Sequence, residues 1–79
     1  MKLTDEQIEI MKEDVSAELI SLLMMNWHYT TDEAMDVLYN SDTFARLEDK
    51  NTGLYYQSPG YVYSYLHQEL TSGSYKSIG

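Results

Sequence analysis

Two histidines are the side chains best suited to acid–base or metal chemistry, and the sequence gives neither a set of partners. His28 follows a predicted helix end with Asp32 four residues on, and His67 stands four residues after Tyr63. A zinc site or a histidine general base needs further ligands or an orienting carboxylate at matching spacing, and neither histidine has them. We interpret His28 as a residue beside helix-end carbonyls and His67 as a stacking partner of Tyr63.

Carboxylates are the other candidates for chemistry. Glu6, Glu9 and Glu13 share one helical face, and paired carboxylates catalyse proton transfer when their environments separate their pKa values. Lys2 and Lys12 lie close by in sequence, which favours a solvated, charged face instead. The chain also lacks a calcium loop, a phosphate-binding glycine loop and a nucleophile elbow. We therefore predict a protein that is not an enzyme and that carries no cofactor or metal ion.

Length and composition describe one small domain. The chain has 79 residues and no cysteine, so disulfides and thiolate zinc sites are excluded. A chain of this size buries only about 60% of the surface that its unfolded form exposes, so a partner subunit is a common source of extra stability. We predict a single helical domain over residues 1–70 and a flexible Ser/Gly-rich tail over 71–79.

The charge restricts the classes of partner. Thirteen acidic residues against five basic ones give a net charge of −8. Nucleic acids and anionic membranes are repelled by such a field, whereas a basic protein is attracted. The longest nearly apolar stretch, residues 19–25, is too short to span a bilayer, and the charged N-terminus argues against a signal peptide. We expect a cytoplasmic protein that binds neither nucleic acid nor membrane.

Helix signals recur along the chain and predict an all-α fold. Residues 1–27 read as one long helix capped by Thr4, and Thr30 or Thr31 begins a second helix. Ser41 caps a short third helix, and Ser58 precedes a proline that begins a fourth, ending near residue 70. The predicted architecture is a small bundle of one long N-terminal helix and about three shorter ones.

The long helix has two apolar lines. The buried stripe recurs at steps of three and four residues and comprises Ile8, Met11, Val15, Leu19, Leu22 and Asn26, with Leu23 beside it. A second line of Ile10, Ala17 and Met24 runs almost opposite, with Ile20 and Met25 near it. Either the helix is central in the fold or this line contacts another copy, which makes these three residues candidates for a homodimer interface.

Five of the eight tyrosines fall within residues 53–66. Leu54–Tyr56 is predicted to be extended or a loop held against the core. The alternation of Tyr61, Tyr63 and Tyr65 suits a strand, but the Ser-Pro start and the Val62/Leu66/Leu70 spacing favour a helix. On that helix Tyr61 faces outward with Tyr65 one turn on, and tyrosine is common in interfaces. We name this pair as a second candidate interface.

Residues 31–48 also fit the outline of a helix-turn-helix DNA reader. Such a reader needs basic and amide side chains on its second helix, and this one offers Arg46 against Asp42 and Glu48. A small DNA-binding regulator is therefore the alternative function.

The C-terminal half resembles a family of short bacterial proteins of unknown function. The family's pattern is matched by Ser41, Phe44, Leu47, Thr52, Gly53, Leu54, Tyr55, Ser58 and Tyr61. Some members look like companions of toxin-type genes, so the resemblance implies an antitoxin-like or accessory role and brings no catalytic residues. The sequence as a whole predicts an acidic protein-interaction module that self-associates and binds a basic protein such as a toxin.

Overall fold

The computed structural model describes residues 3–72, which form helices and no strand. The four α-helices are α1 (Asp5–Trp27), α2 (Thr31–Tyr39), α3 (Asp42–Glu48) and α4 (Pro59–Ser72). Two short 3-10 helices, Lys50–Thr52 and Leu54–Tyr56, connect α3 to α4. The predicted all-α fold, with one long first helix and shorter ones after it, is confirmed.

Side-chain caps fix where the first two helices begin. The Thr4 hydroxyl accepts from the Gln7 amide at 3.1 Å while the Gln7 side chain accepts from the Thr4 amide at 2.8 Å. Thr30 and Glu33 form the same reciprocal pair at 3.1 and 2.9 Å. Each pair supplies partners for amides that no helical carbonyl can reach, which stabilises the start of the helix.

A serine cap and a proline begin α4, as the sequence indicates. The Ser58 hydroxyl accepts from the Tyr61 amide at 3.2 Å, and the Ser58 carbonyl accepts from Val62. The strand alternative for residues 61–66 is therefore wrong. Thr71 and Ser72 belong to α4 rather than to the predicted tail, and residues 73–79 lie outside the described part of the chain.

Apolar side chains from every α-helix meet in one core. Its fully buried members are Leu19, Leu23, Ala34, Leu38, Leu47, Val62 and Leu66. α2 and α4 cover the C-terminal half of α1, while the 3-10 segment Leu54–Tyr56 packs on α1 and α3.

The buried stripe of α1 differs from the predicted one. Lys12 and Ser16 are buried, whereas Asn26 is exposed and donates its side-chain amide to the Leu22 carbonyl at 3.0 Å. Met11 and Leu22 are half-buried. Because the long Lys12 side chain covers apolar surface with its methylenes, it occupies an inner position that a hydrophobicity pattern does not assign to it.

The segment after α3 consists of two short 3-10 helices, so the extended alternative for Leu54–Tyr56 is wrong and the segment is held against the core through Leu54. Gly53 has φ of 72°, which is the left-handed conformation that glycine adopts most easily. It lets the chain reverse so that Leu54, 7% exposed, enters the core. The preceding Asn51 lies in the first of the 3-10 helices and has no positive φ.

Candidate functional site

The predicted interface line of α1 is split by the fold. Ile10 is 53% exposed and Ala17 is also exposed, whereas Met24 is half-buried and packs against the core. The Thr31 hydroxyl approaches the Met24 sulfur at 3.6 Å. A straight α-helix drifts by about 20° per seven residues, so the third member of the line turns under α2. The exposed apolar side chain at that end of α1 is instead Met25, at 71%.

Tyr61 and Tyr65 form a pair on α4. Their hydroxyl oxygens are 2.9 Å apart, and their rings meet edge to face with centroids 5.3 Å apart. Tyr61 is 47% exposed, while Tyr65 is half-buried against the core. The structure thus brings the two predicted residues together, with Tyr61 outermost.

The hydrogen bond within this pair changes its acid–base behaviour. The bond to Tyr65 raises the pKa of Tyr61 above its ordinary value of 10.0, with smaller contributions from charge repulsion and burial. The Tyr61 hydroxyl therefore stays protonated at neutral pH and acts as a hydrogen-bond group on the surface.

A second surface lies on the other side of α4 and is aromatic. We call it the aromatic groove, a concave region of about 580 Å³ lined by Asn26, Trp27, Gly60, Tyr63, Ser64 and His67. The Trp27 indole donates to the Tyr63 hydroxyl at 3.1 Å, and the His67 ring lies about 6 Å from both rings. Tyr29 stacks on Trp27 with centroids 6.1 Å apart. Among residues 3–72 no charged carboxylate lines this groove.

The aromatic groove offers contact area but no arrangement for acid–base catalysis. His67 is exposed, and no described side chain hydrogen-bonds to its ring. The Tyr63 hydroxyl already accepts the indole N–H. A general base is normally oriented by a partner and placed beside a nucleophile, which this histidine lacks. His28 is exposed at the end of α1 with φ of 59°, outside the groove.

The acidic residues are concentrated around the N-terminal half of α1. Lys12 donates to Glu9 at 2.9 Å and lies 3.9 Å from Glu48, with its own side chain only 9% exposed. Lys12 is therefore buried, whereas Glu6, Glu9 and Glu13 are exposed as expected. The hydrogen bond to Glu9 raises the pKa of Lys12 above 10.5 against the opposing effect of burial.

These carboxylates do not converge on a point. Within residues 3–72 no group of three histidine or acidic side chains is placed to hold a metal ion. Lys50 pairs with Asp5 at 3.3 Å, so two of the three basic residues in this part of the chain are bound to its own carboxylates. The acidic surface therefore contains two ion pairs within the chain, Lys12–Glu9 and Lys50–Asp5.

One buried carboxylate escaped sequence reasoning. Glu69 of α4 is 8% exposed and accepts from the amides of Asp42 and Thr43 at 2.8 and 3.0 Å, and from the Thr43 hydroxyl at 2.8 Å. Leu70, predicted as the buried residue of this turn, is only half-buried. The sequence does hold a signal, because Glu69 is seven residues after Val62 and three after Leu66 on the inner face.

Glu69 also bears on the helix-turn-helix alternative. A recognition helix places its N-terminal residues on base edges in the major groove. α3 has seven residues, and its N-terminal amides are bound by the Glu69 carboxylate. A negative charge at that position opposes the binding of a DNA phosphate there.

Comparison of the chain with protein-family models, with curated proteins and with solved structures finds no match. The family resemblance of residues 41–66 therefore stays a prediction. Among the described residues no helix is long and apolar enough to cross a membrane.

Proposed function

We propose that this chain is a small acidic protein-interaction module that binds a basic protein. The observation that supports the proposal is that, among residues 3–72, most of its basic side chains are paired within the chain, whereas most of its acidic ones are exposed. Thirteen acidic residues face five basic ones, and Lys12 and Lys50 are held in ion pairs with Glu9 and Asp5. Most of the acidic side chains are left on the surface, where they attract a cationic partner and set its orientation.

The resemblance adds one class of partner to this proposal. If the pattern ending at Tyr61 marks the family described above, a toxin-type protein is the basic partner it implies. The binding groups would be surface carboxylates with exposed aromatic rings such as Tyr61, 47% exposed, as contact area.

Affinity capture with a matched control tests this function. The chain is used as bait beside a variant in which four exposed carboxylates without ion pairs among residues 3–72 (Glu13, Asp14, Glu18 and Asp32) become amides. We expect a basic protein to be retained by the natural chain, lost from the variant and released by salt, and then to bind again when purified. Capture of the same proteins by both baits would overturn the proposal.

Self-association is a second candidate function. Ile10 and Met25 are 53% and 71% exposed on α1, so this face of the helix presents apolar side chains to solvent. Asp14 and Glu18 lie on the same exposed side, so a dimer through this face brings like charges together. Sedimentation equilibrium tests it: a dimer that Ile10→Lys dissociates supports this interface, and a strict monomer at high concentration removes it.

A further inference from the structure

The acidic and apolar side chains of three helices combine in a second groove, between α1 and the α2–α3 corner. Its volume is about 330 Å³. Ala17 and Ile20 of α1 form one side of its apolar floor, and Tyr39 and Phe44 form the other side. We call it the acid-rimmed groove.

The floor of this groove is apolar and reachable. Tyr39 is 47% exposed, Ala17 is exposed, and Ile20 and Phe44 are half-buried. The Tyr39 and Phe44 rings meet edge to face with centroids 4.9 Å apart, which holds the aromatic side of the floor in place. The groove therefore presents a fixed apolar surface large enough for one or two aliphatic side chains.

The rim is negatively charged. Three carboxylates stand around the floor: Glu9, Glu13 and Glu48. Within residues 3–72 one ammonium group, that of Lys12, is paired with Glu9 and Glu48. Three carboxylates and one ammonium leave the rim with a charge of −2. Glu13 forms no ion pair within the described residues. An occupant must satisfy this rim as well as cover the floor.

We propose that the acid-rimmed groove is where the basic partner docks, through a helical segment that carries one or two aliphatic side chains flanked by lysine or arginine. Amphipathic helices bind grooves through apolar anchors at helical spacing, and the flanking charges select the partner. This rests on the proposed function and adds its place and the chemistry of the recognised segment. Ala17, which the sequence analysis predicted as an interface residue for a different reason, forms part of the floor.

The charge pattern separates this groove from the aromatic groove of Trp27, Tyr63 and His67. The described lining of the aromatic groove contains no charged carboxylate, so it offers no group that selects a cationic segment. At the acid-rimmed groove the apolar floor and the negative rim lie within one concavity, and each restricts the partner in a different way.

The test uses two fluorescent helical peptides of equal length and charge, one built from lysine and leucine and the other from lysine and glutamine. Binding to the full chain is measured by anisotropy at low and at physiological ionic strength. The groove variant is Glu13→Gln with Glu48→Gln. The control is Asp14→Asn with Glu18→Gln, which removes two exposed charges from the other side of α1. Thermal unfolding checks that both variants are folded.

We expect the leucine peptide to bind the natural chain more tightly than the glutamine peptide. The groove variant should weaken it about fivefold to tenfold and the control less than about twofold. Amide shifts on titration should be largest at Ala17 and Ile20 and small at Trp27 and Ser64.

Three results would overturn the groove assignment: no binding of the leucine peptide, equal weakening by both variants, or shifts centred on Trp27. Equal weakening would leave the wider proposal of a basic partner standing, because binding would then depend on the whole acidic surface. Failure of that wider proposal shows separately, in the capture experiment.

Discussion

The two sides of α4 contact different helices, and their polar side chains have different roles. One flank faces α3 and places Glu69 and Tyr65 in a small polar cleft beside Asp42 and Thr43. The other faces the end of α1 and places Tyr63 and His67 beside Trp27. We refer to them as the capped flank and the open flank.

The capped flank fixes the relative position of two helices, whereas the open flank leaves a surface accessible to solvent. On the capped flank a buried carboxylate accepts three hydrogen bonds at 2.8 to 3.0 Å, so α3 and α4 have one relative position. On the open flank one hydrogen bond and ring contacts hold a concave surface that solvent reaches. Removing polar groups should therefore cost more on the capped flank, and the following variants examine that.

Glu69→Ala should have the largest effect. It leaves the amides of Asp42 and Thr43 without their acceptor and removes a negative charge from the start of α3. We expect the free energy of unfolding to fall by about 2–3 kcal/mol, measured by urea denaturation followed by circular dichroism. Gln68→Ala, one residue away and exposed, is the control. Equal losses in the two variants would remove the distinction between the flanks.

Tyr63→Phe should have a smaller effect on the open flank. It removes the acceptor of the Trp27 indole, but water can reach the indole through the groove and replace it. We expect a loss of about 1 kcal/mol in the same measurement. Tyr56→Phe is the control because Tyr56 is 60% exposed. A loss as large as that of Glu69→Ala would show that the open flank is as strictly fixed as the capped one.

Gly60→Ala on the open flank should stabilise the protein. A Cβ at Gly60 meets nothing within 4 Å, and alanine restricts the unfolded chain more than glycine does. We expect a gain of about 0.5 kcal/mol. Gly53→Ala is the opposing case, because its φ of 72° strains any residue with a Cβ and Tyr56 would have to move. Changes of the same sign in the two variants would contradict this explanation.

Tyr65→Phe should change titration more than stability. Without the bond to Tyr65, the pKa of Tyr61 should fall toward 10.0, seen as tyrosinate absorbance appearing at lower pH. Because the folded-state pKa is raised, the contribution to stability is full below the ordinary pKa and is lost as pH rises through the raised value. An unchanged titration curve would show that the hydroxyl contact does not persist in solution.

Much of the fold follows from local signals in the sequence. Thr4, Thr30, Ser41 and Ser58 are caps whose effect is confined to the next three residues, so they can be recognised without tertiary knowledge. The Ser-Pro start also decides correctly between helix and strand for residues 61–66.

What the sequence did not reveal depends on how the helices pack against one another. Lys12 is buried because Glu9 and Glu48 receive its ammonium, and Glu69 is buried because α3 presents free amides to it. Met24 leaves the predicted interface line because α2 covers it. The pairing of Tyr61 with Tyr65 was predictable from their four-residue spacing. The two grooves were not, because the acid-rimmed groove is formed by three helices and the aromatic groove by two helices that are distant in the sequence.

The Glu69 cap also has a consequence for the order of folding. A helix of seven residues is marginally stable by itself. The carboxylate that caps α3 belongs to Glu69, which is 27 residues after Asp42 and 26 after Thr43. α3 therefore becomes stable only when α4 docks, so the two helices should open together. Hydrogen exchange should report this as a shared opening free energy for the Asp42 and Thr43 amides and the amides in the middle of α4.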